Sequence, residues 1–286
     1  MKLTVLMDNN TYIDQYYLGE PALSIYIEDG EENILFDTGY SEAFISNAEK
    51  MQIDLGKLTY IVLSHGHNDH TRGLPFLWER YNLDGVKLVA HPSVFLPKRY
   101  MGLDVGAPFS RQDCLAHGLQ IVDGHEPVQI TERLTFLGEI PRVTVFESKA
   151  PVGECVDTGK GDFLLDDSAL SYEGREGLFL VTGCSHSGIC NIVLQALEMS
   201  EQEKINGIIG GFHLLKTDQQ LTETIRFLEK HTTGMLFPCH CVSLSAKLEI
   251  MKALPVTEVG VGLQMEVRYV CDGNIDSYVG ISGYCK

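Results

Sequence analysis

No stretch of this 286-residue chain approaches the roughly 18 consecutive apolar residues that a membrane-crossing helix needs. The segment Met1–Met7 runs at once into Asp8-Asn9-Asn10, so it reads as a first strand rather than a signal peptide, and a cytoplasmic protein is expected. Positive charge is scarce. Lys and Arg number 22 against 39 Asp and Glu, a formal charge of −17. Such a field repels phosphate backbones at long range and argues against a nucleic-acid substrate. A small anionic substrate stays compatible with it, because bound divalent cations would dominate the potential locally. A zinc-finger framework is missing too, since Cys239-His240-Cys241 has no second cysteine pair at a suitable distance. The eight cysteines (Cys114, Cys155, Cys184, Cys190, Cys239, Cys241, Cys271 and Cys285) are scattered through a chain too long to need stapling. They read as free thiols in a reducing compartment, mostly packing residues.

What is present suits a large core: 44% of residues are hydrophobic and the mean hydropathy is −0.01. Length alone admits one large domain or two small ones. Leu3–Met7, Leu23–Glu28 and Asn33–Phe36 read as strands, the last two joined by a turn with an Asp-Gly hairpin cue. Ser41 is placed to cap a helix running to about Met51, with Glu42 in its first turn. A strand over Leu58–Ser64, a helix over Gly73–Tyr81 and a strand over Val86–His91 follow. Two successive strand–helix passes favour an α/β layered fold. From about Pro92 to Asp167, prolines and glycines break the pattern, although Val128–Phe136 and Arg142–Glu147 still look like strands. This segment reads as an irregular insertion in a single domain spanning 1–286, serving as a lid or substrate wall. Order returns with strands at Gly177–Thr182, Ile205–Gly210 and Met235–Phe237. Helices are expected at Ile189–Met199, at Thr217–Lys230 with Thr217 as its cap, and at Leu244–Leu254. Val256–Tyr269 closes the chain as strand. No sequence repeat is visible.

The chemistry gathers where apolar runs stop. Ile61-Val62-Leu63 ends at Ser64-His65-Gly66-His67-Asn68-Asp69-His70, three histidines and one aspartate within six residues. His65 and His67, two apart at a strand end, project to the same side, and Asp69 and His70 reach a neighbouring position. Imidazole nitrogen and carboxylate oxygen suit zinc, iron and manganese. Other strands end at Asp37, at Cys184 with His186, at His213 and at His240. One histidine after a strand is usually a satisfied core or surface residue. Five strand ends alike indicate loops that together form a site. His91 reads as structural, and no role is assigned to His117, His125 or His231.

The His-x-His-x-Asp-His pattern resembles the metal-binding signature of the metallo-β-lactamase fold superfamily. Phe36-Asp37-Thr38-Gly39 is similar to that family's first motif and Phe237-Pro238-Cys239-His240 to its last. The resemblance covers nearly the whole chain outside 92–167 and implies a four-layer αββα sandwich of two mixed β-sheets. Gly183-Cys184-Ser185-His186-Ser187-Gly188-Ile189, Gly210-Gly211-Phe212-His213-Leu214 and Pro238-Cys239-His240-Cys241 resemble one branch more closely. It is the dihydropteroate-synthase-like branch, named for an archaeal enzyme that joins a pterin methyl group to a ribofuranosyl-aminobenzene phosphate. Many bacterial members of it are called metal-dependent hydrolases.

The resemblance implies two divalent metal ions, zinc first, with iron or manganese as alternatives. His65, His67 and His186 would hold one, Asp69, His70 and His240 the other, with Asp37 supporting the ligands from behind. The chain departs from the superfamily where an aspartate usually bridges both metals, because that strand end carries Cys184. The usual separate histidine upstream is also missing, leaving only Asp162, Asp166 and Asp167 nearby. His186 is expected to supply the imidazole. Cys184 is either a bridging or second-site ligand or a small buried hydrophobe.

In the hydrolase reading a metal-held water, its pKa lowered, attacks a small ester or phosphoester. Asp69 orients it, and His213 either protonates the leaving group or bonds to nearby backbone. A pterin-type transferase, which needs a dry pocket, and a non-catalytic metal-binding or sensor protein are the alternatives.

Overall fold

The computed structural model describes residues 1–268, together with the backbone of the two-residue strand Gly280–Ile281. Cys271 and Cys285, like the last residue of the strand expected to end at Tyr269, lie outside the described residues.

Strand alternation decides the layers. In Glu32–Phe36, Ile34 and Phe36 point to one face and Leu35 to the other, and every one of them is buried. Gly177–Thr182 does the same, with Phe179 and Val181 on one side and Leu178 and Leu180 on the other. A sheet covered on both faces produces such unbroken apolar runs. The first sheet has eight strands, in the order Gly280–Ile281, Gln264–Glu266, Lys2–Met7, Ser24–Asp29, Glu32–Phe36, Tyr60–Val62, Lys87–Ala90, Gln120–Asp123. It is antiparallel as far as Glu32–Phe36, and the last three strands run parallel to that one. The second sheet has six: Thr232–Pro238, Ile205–Gly210 and Gly177–Thr182 run parallel, then Ala169–Gly174, Leu134–Phe136 and Val128–Gln129 continue antiparallel.

The two sheets face each other across a core that includes Phe36, Phe136, Phe179 and Phe237, all fully buried. Each such ring adds roughly 1.5–3 kcal/mol of hydrophobic stabilisation. Helices Ala43–Lys50 and Leu74–Arg80 cover the outside of the first sheet through Phe44, Ile45, Leu74 and Leu77. Helices Ile189–Glu198, Gln219–His231 and Leu244–Met251 cover the second through Ile192, Leu221, Leu228 and Ile250. The result is the expected four-layer αββα sandwich.

Several local expectations need correction. The helix after Ser41 begins at Ala43 with Glu42 in the cap position, although the Ser41 hydroxyl still accepts the Ala43 N–H at 3.1 Å. Asp218, not Thr217, caps the helix Gln219–His231, accepting the Leu221 N–H at 3.1 Å. Arg142–Glu147 forms no strand. The N–H groups of Val143 and Thr144 donate to the Asn191 side chain at 3.0 and 2.9 Å instead of a ladder. The Glu147 carboxylate accepts the N–H groups of Cys190 and Asn191, capping a helix whose own cap residue, Gly188, has no side chain to offer. Among the described residues, the apolar run from Val256 yields only the strand Gln264–Glu266 and isolated bridges.

Nor is 92–167 uniformly irregular. Gln120–Asp123 extends the first sheet, and the hairpin of Val128–Gln129 with Leu134–Phe136 extends the second. The remainder contributes Lys98–Tyr100, Leu103–Asp104, Glu154–Cys155 and Lys160–Gly161 to a separate four-stranded sheet. Strands this short carry little periodicity, which is why sequence patterning missed them.

Candidate metal centre

The parallel strands of both sheets end at one edge, and their C-terminal loops meet there. From the first sheet come Asp37 and Ser64–His70; from the second come Cys184–His186, His213 and His240. The site therefore lies between the two sheets, with both contributing loops to it. Asp37, Ser185, His213 and His240 all have positive φ, between 48° and 59°. Non-glycine residues in that conformation carry strain that surrounding contacts must hold.

His65, His67 and His186 form a near-equilateral triangle, with ring centroids 4.8, 4.9 and 4.9 Å apart. Each offers a ring nitrogen within 4.8 Å of the other two. The Ser64 hydroxyl donates to Asp37 Oδ2 at 2.7 Å, so it accepts from His65 Nδ1 at 3.0 Å and leaves the His65 Nε2 lone pair free. His65 Nε2, His67 Nε2 and both nitrogens of His186 are buried without a hydrogen-bond partner among the described residues. Buried polar atoms are rarely left so. Burial, with the neighbouring imidazoles, holds His65 and His186 well below the ordinary histidine pKa; burial likewise takes His67 down to about 4. The three rings are neutral at pH 7, the state a cation requires of imidazole.

Asp69, His70 and His240 form a second triad. Asp37 Oδ2 receives His70 Nδ1 at 2.6 Å, and Asn9 Oδ1 receives His240 Nδ1 at 3.0 Å. Both Nε2 atoms therefore face inward, 3.1 Å apart, with Asp69 Oδ2 at 3.3 Å from that of His240. Although burial raises the pKa of Asp69, His70 and His240 outweigh it and hold the carboxyl below its ordinary range. Cys184 Sγ lies 3.3 Å from His70 Nε2. Asp37 thus stands behind His70, and the orphaned nitrogens and inward-facing Nε2 atoms are a donor set that suits divalent cations.

Sequence reading missed most of what stands behind the ligands. Four buried carboxylates each accept a backbone N–H in a ligand loop: Asp37 from Ser64 (2.7 Å), Asp166 from Gly66 (2.7 Å), Asp167 from Ser187 (2.9 Å) and Asp8 from His240 (2.9 Å). Asp8 follows the first strand and the other two follow the 154–161 hairpin, positions without a local motif. Lys98, buried between Asp162 and Asp166 at 3.0 and 3.1 Å, offsets one charge of that pair. Among the described residues none of Asp162, Asp166 and Asp167 belongs to a group that could hold an ion, whereas His186 is grouped with His65 and His67.

His213 packs against His186 with ring centroids 4.4 Å apart, and its ring makes no hydrogen bond among the described residues. Burial, then the proximity of His240, lowers its pKa. Both residues line a cavity of about 390 Å³ whose rim carries Lys149 and Lys216. Another cavity, of about 840 Å³, lies beside Thr4, Tyr26 and Gln264 and is lined by none of the residues of the two triads. His91, His125 and Glu139 form another cluster, but His91 Nδ1 accepts the Ser93 N–H, so its Nε2 carries the proton and donates to Glu139 at 3.2 Å. That fits the structural role expected of His91.

Comparison with known proteins agrees with this geometry. The model of the metallo-beta-lactamase superfamily matches residues 18–156. An uncharacterised protein of Methanocaldococcus jannaschii is 32% identical over 250 residues, covering 85% of this chain and 91% of its own. The 7,8-dihydropterin-6-methyl-4-(beta-D-ribofuranosyl)-aminobenzene-5'-phosphate synthase of the same organism is 28% identical over 268 residues, covering 88% and 91%. Among solved structures, a metal-dependent hydrolase of the beta-lactamase superfamily superposes with a TM-score of 0.80 at 27% identity, covering 93% of this chain and 99% of that one.

Proposed function

Because the chain belongs to the metallo-beta-lactamase superfamily, in the branch that includes the pterin-related synthase, we propose that it is a metal-dependent hydrolase of a small anionic ester or phosphoester. The observation that carries this reading is the pair of adjoining triads, His65/His67/His186 and Asp69/His70/His240, opening beside a cavity. Proteins of this fold bind divalent metals. In our reading the first triad holds one cation and the second another, zinc before iron or manganese. Cations held there supply Lewis acidity and bring the pKa of water towards neutrality.

The chain's own residues do the rest. Asp37 and Asn9 fix the tautomers of His70 and His240 by accepting their Nδ1–H groups. Asp69, held ionised, accepts a hydrogen bond from the attacking water and orients it. His213, neutral at rest, takes up the proton that water loses and delivers it to the leaving oxygen, so the products are an acid and an alcohol. Lys149 and Lys216, exposed and in no ion pair among the described residues, favour an anionic group at the rim. The net charge of −17 argues against nucleic acid as substrate. No described helix is long and apolar enough to cross a membrane, and the six described cysteines are free. We place the protein in the cytoplasm, a compartment that keeps such thiols reduced. The 148–152 stretch that lines the cavity would act as a substrate wall.

A pterin-type transferase is the second reading, favoured by the relative named as a synthase. The exposed rim at Lys149, Ala150, Leu215 and Lys216 favours hydrolysis over a condensation that must exclude water.

The test couples metal analysis to assays on bis(p-nitrophenyl) phosphate and simple esters, before and after chelation and in Asp69→Ala. Near two metals per chain, with turnover abolished by the chelator and by the substitution, is expected. Metal-loaded protein that leaves esters intact but condenses a pterin pyrophosphate with an aminobenzene acceptor would make it a transferase. Metal without either reaction would make it a binding or sensor protein.

A further inference from the structure

We propose that Arg72, stacked on Tyr40, reads a carboxylate on the substrate, in a subsite separate from the cavity that bears Lys149 and Lys216. The inference deepens the reading above. It takes the reacting group to lie at the triads and adds that the substrate carries a second anion at a distance from it. A cavity of about 440 Å³ opens beside the ligand loop, lined in part by Tyr40, Asn68, Arg72 and Gly106. Asn68 lies between His67 and Asp69 in the chain, and Gly106 pairs with His67 in an isolated bridge. The 390 Å³ cavity draws Ser185, His186 and His213 from loops of the second sheet. This one draws Tyr40, Asn68 and Arg72 from loops of the first. The triads are built from both sets of loops, so the two cavities approach them from different sheets.

Two loops are stitched together to set this pair. The Thr38 N–H donates to the His70 carbonyl at 2.7 Å, and the Gly73 N–H donates to the Gly39 carbonyl at 3.1 Å. An added Cβ at Gly73 would meet Thr38 O at 1.8 Å, so a glycine is needed for the loops to close up. Tyr40 follows one side of the stitch and Arg72 lies within the other, which brings the guanidinium carbon 4.3 Å from the Tyr40 ring centroid. Glu20 fixes Tyr40 from behind. Its carboxylate accepts the N–H groups of Tyr40 and Ser41, each at 3.0 Å, and the Ser41 hydroxyl at 2.7 Å, so it is spent there and not on the guanidinium. Arg72 is exposed and makes no hydrogen bond or ion pair among the described residues. A guanidinium held by its face keeps its N–H edge free, and that edge fits the two oxygens of a carboxylate. The other charges lining the cavity are engaged, Lys98 with Asp162 and Asp166, and Asp104 with Arg99 at 3.0 Å. One unpaired positive charge remains, a match for a carboxylate rather than for a phosphate dianion.

Calorimetry on the full chain loaded with zinc tests this without any turnover. The protein is titrated with ω-phosphonocarboxylates of increasing chain length and with alkylphosphonates of equal length. The phosphonate serves as the group held at the triads, and the length that binds best reports the span to Arg72. At that length the carboxylate is expected to tighten Kd about tenfold over the matched alkylphosphonate. The gain should vanish in Arg72→Ala and shrink in Arg72→Lys, which has no bidentate edge. It should also shrink in Tyr40→Ala but persist in Tyr40→Phe, which keeps an aromatic face for the guanidinium. The Kd of the alkylphosphonate should stay the same in all four variants, a control that each retains a folded, loaded site. A series in which no carboxylate outbinds its alkylphosphonate, or a gain that survives in Arg72→Ala, overturns the proposal. A gain lost in Lys216→Ala but kept in Arg72→Ala moves the carboxylate to the other cavity and also overturns it. Alkylphosphonate binding lost along with the gain in Arg72→Ala makes Arg72 a support of the ligand loop and overturns it too. Protein that binds the two-ended anion through Arg72 yet hydrolyses no ester leaves this subsite standing and removes only the hydrolase reading.

Discussion

Asp166 accepts the backbone N–H of Gly66 at 2.7 Å, between two histidines of the first triad, while its other oxygen receives the Lys98 ammonium at 3.1 Å. The bond ties the loop that delivers His65 and His67 to a segment one hundred residues away in sequence. An added Cβ at Gly66 would meet Val94 O at 2.6 Å and Asp166 Oδ2 at 3.0 Å, so only glycine allows the loop to approach so closely.

Asp166→Ala should therefore damage two properties at once. Lys98 loses one of its two buried partners, which should cost about 3 kcal/mol in urea titration. With Gly66 unheld, metal affinity measured by chelator competition should fall roughly 10–100-fold. A drop in stability with unchanged affinity would show that Asp166 braces the fold without positioning the ligands.

Asp37→Asn should reverse a tautomer. One oxygen of Asp37 accepts the Ser64 N–H, and the other receives both the Ser64 hydroxyl and His70 Nδ1. An asparagine that keeps its oxygen on the Ser64 N–H turns its NH₂ group to His70. Nδ1 then becomes an acceptor and the proton moves to Nε2, the atom facing the second site. We expect the second metal equivalent to weaken about 10–100-fold while the first is retained. Two equivalents bound as in the unmodified protein would contradict this.

Asp167 should make the metal-free chain less stable as pH rises. Burial lifts its pKa from 3.8 to about 6, despite the hydrogen bonds from Ser187. Between those values the folded state holds a proton that the unfolded state has lost, so unfolding free energy declines with pH. The two pKa values differ by about two units, equivalent to roughly 3 kcal/mol. The stability of wild type minus that of Asp167→Asn should be level below about pH 4, fall by that order, and level off above about pH 6. A difference that does not change with pH would refute the assignment.

Lys149 and Lys216 should select charge rather than drive chemistry. Replacing either with Ala is expected to raise KM for a phosphomonoester about tenfold with kcat unchanged, as for loss of one charge-assisted contact. A neutral ester should be unaffected, and added salt should narrow the contrast because both lysines are on the rim. An equal effect on charged and neutral substrates would remove the anion-reading role.

The sequence by itself determined which strands are buried on both faces and where the histidines gather. Strands such as Ile34–Phe36 and Leu178–Val181 are buried on both faces, and unbroken apolar runs announce that arrangement without any tertiary knowledge. His65, His67, Asp69 and His70 are legible for the same local reason, because their spacing and the strand before them fix their direction. The assembly of His186 beside His65 and His67, and of His240 beside His70, depended on two sheets meeting at one edge. So did the carboxylates behind them: Asp8 lies 232 residues from the His240 N–H it receives, and Asp166 lies 100 from Gly66. Hydrogen bonds of that reach leave no periodicity in the chain, since each is specified by packing between distant segments. The Asn191 and Glu147 contacts that deny Arg142–Glu147 a strand are of the same kind. Local pattern decides which residues are buried and which way they face, and only the packed chain decides which distant polar groups they meet.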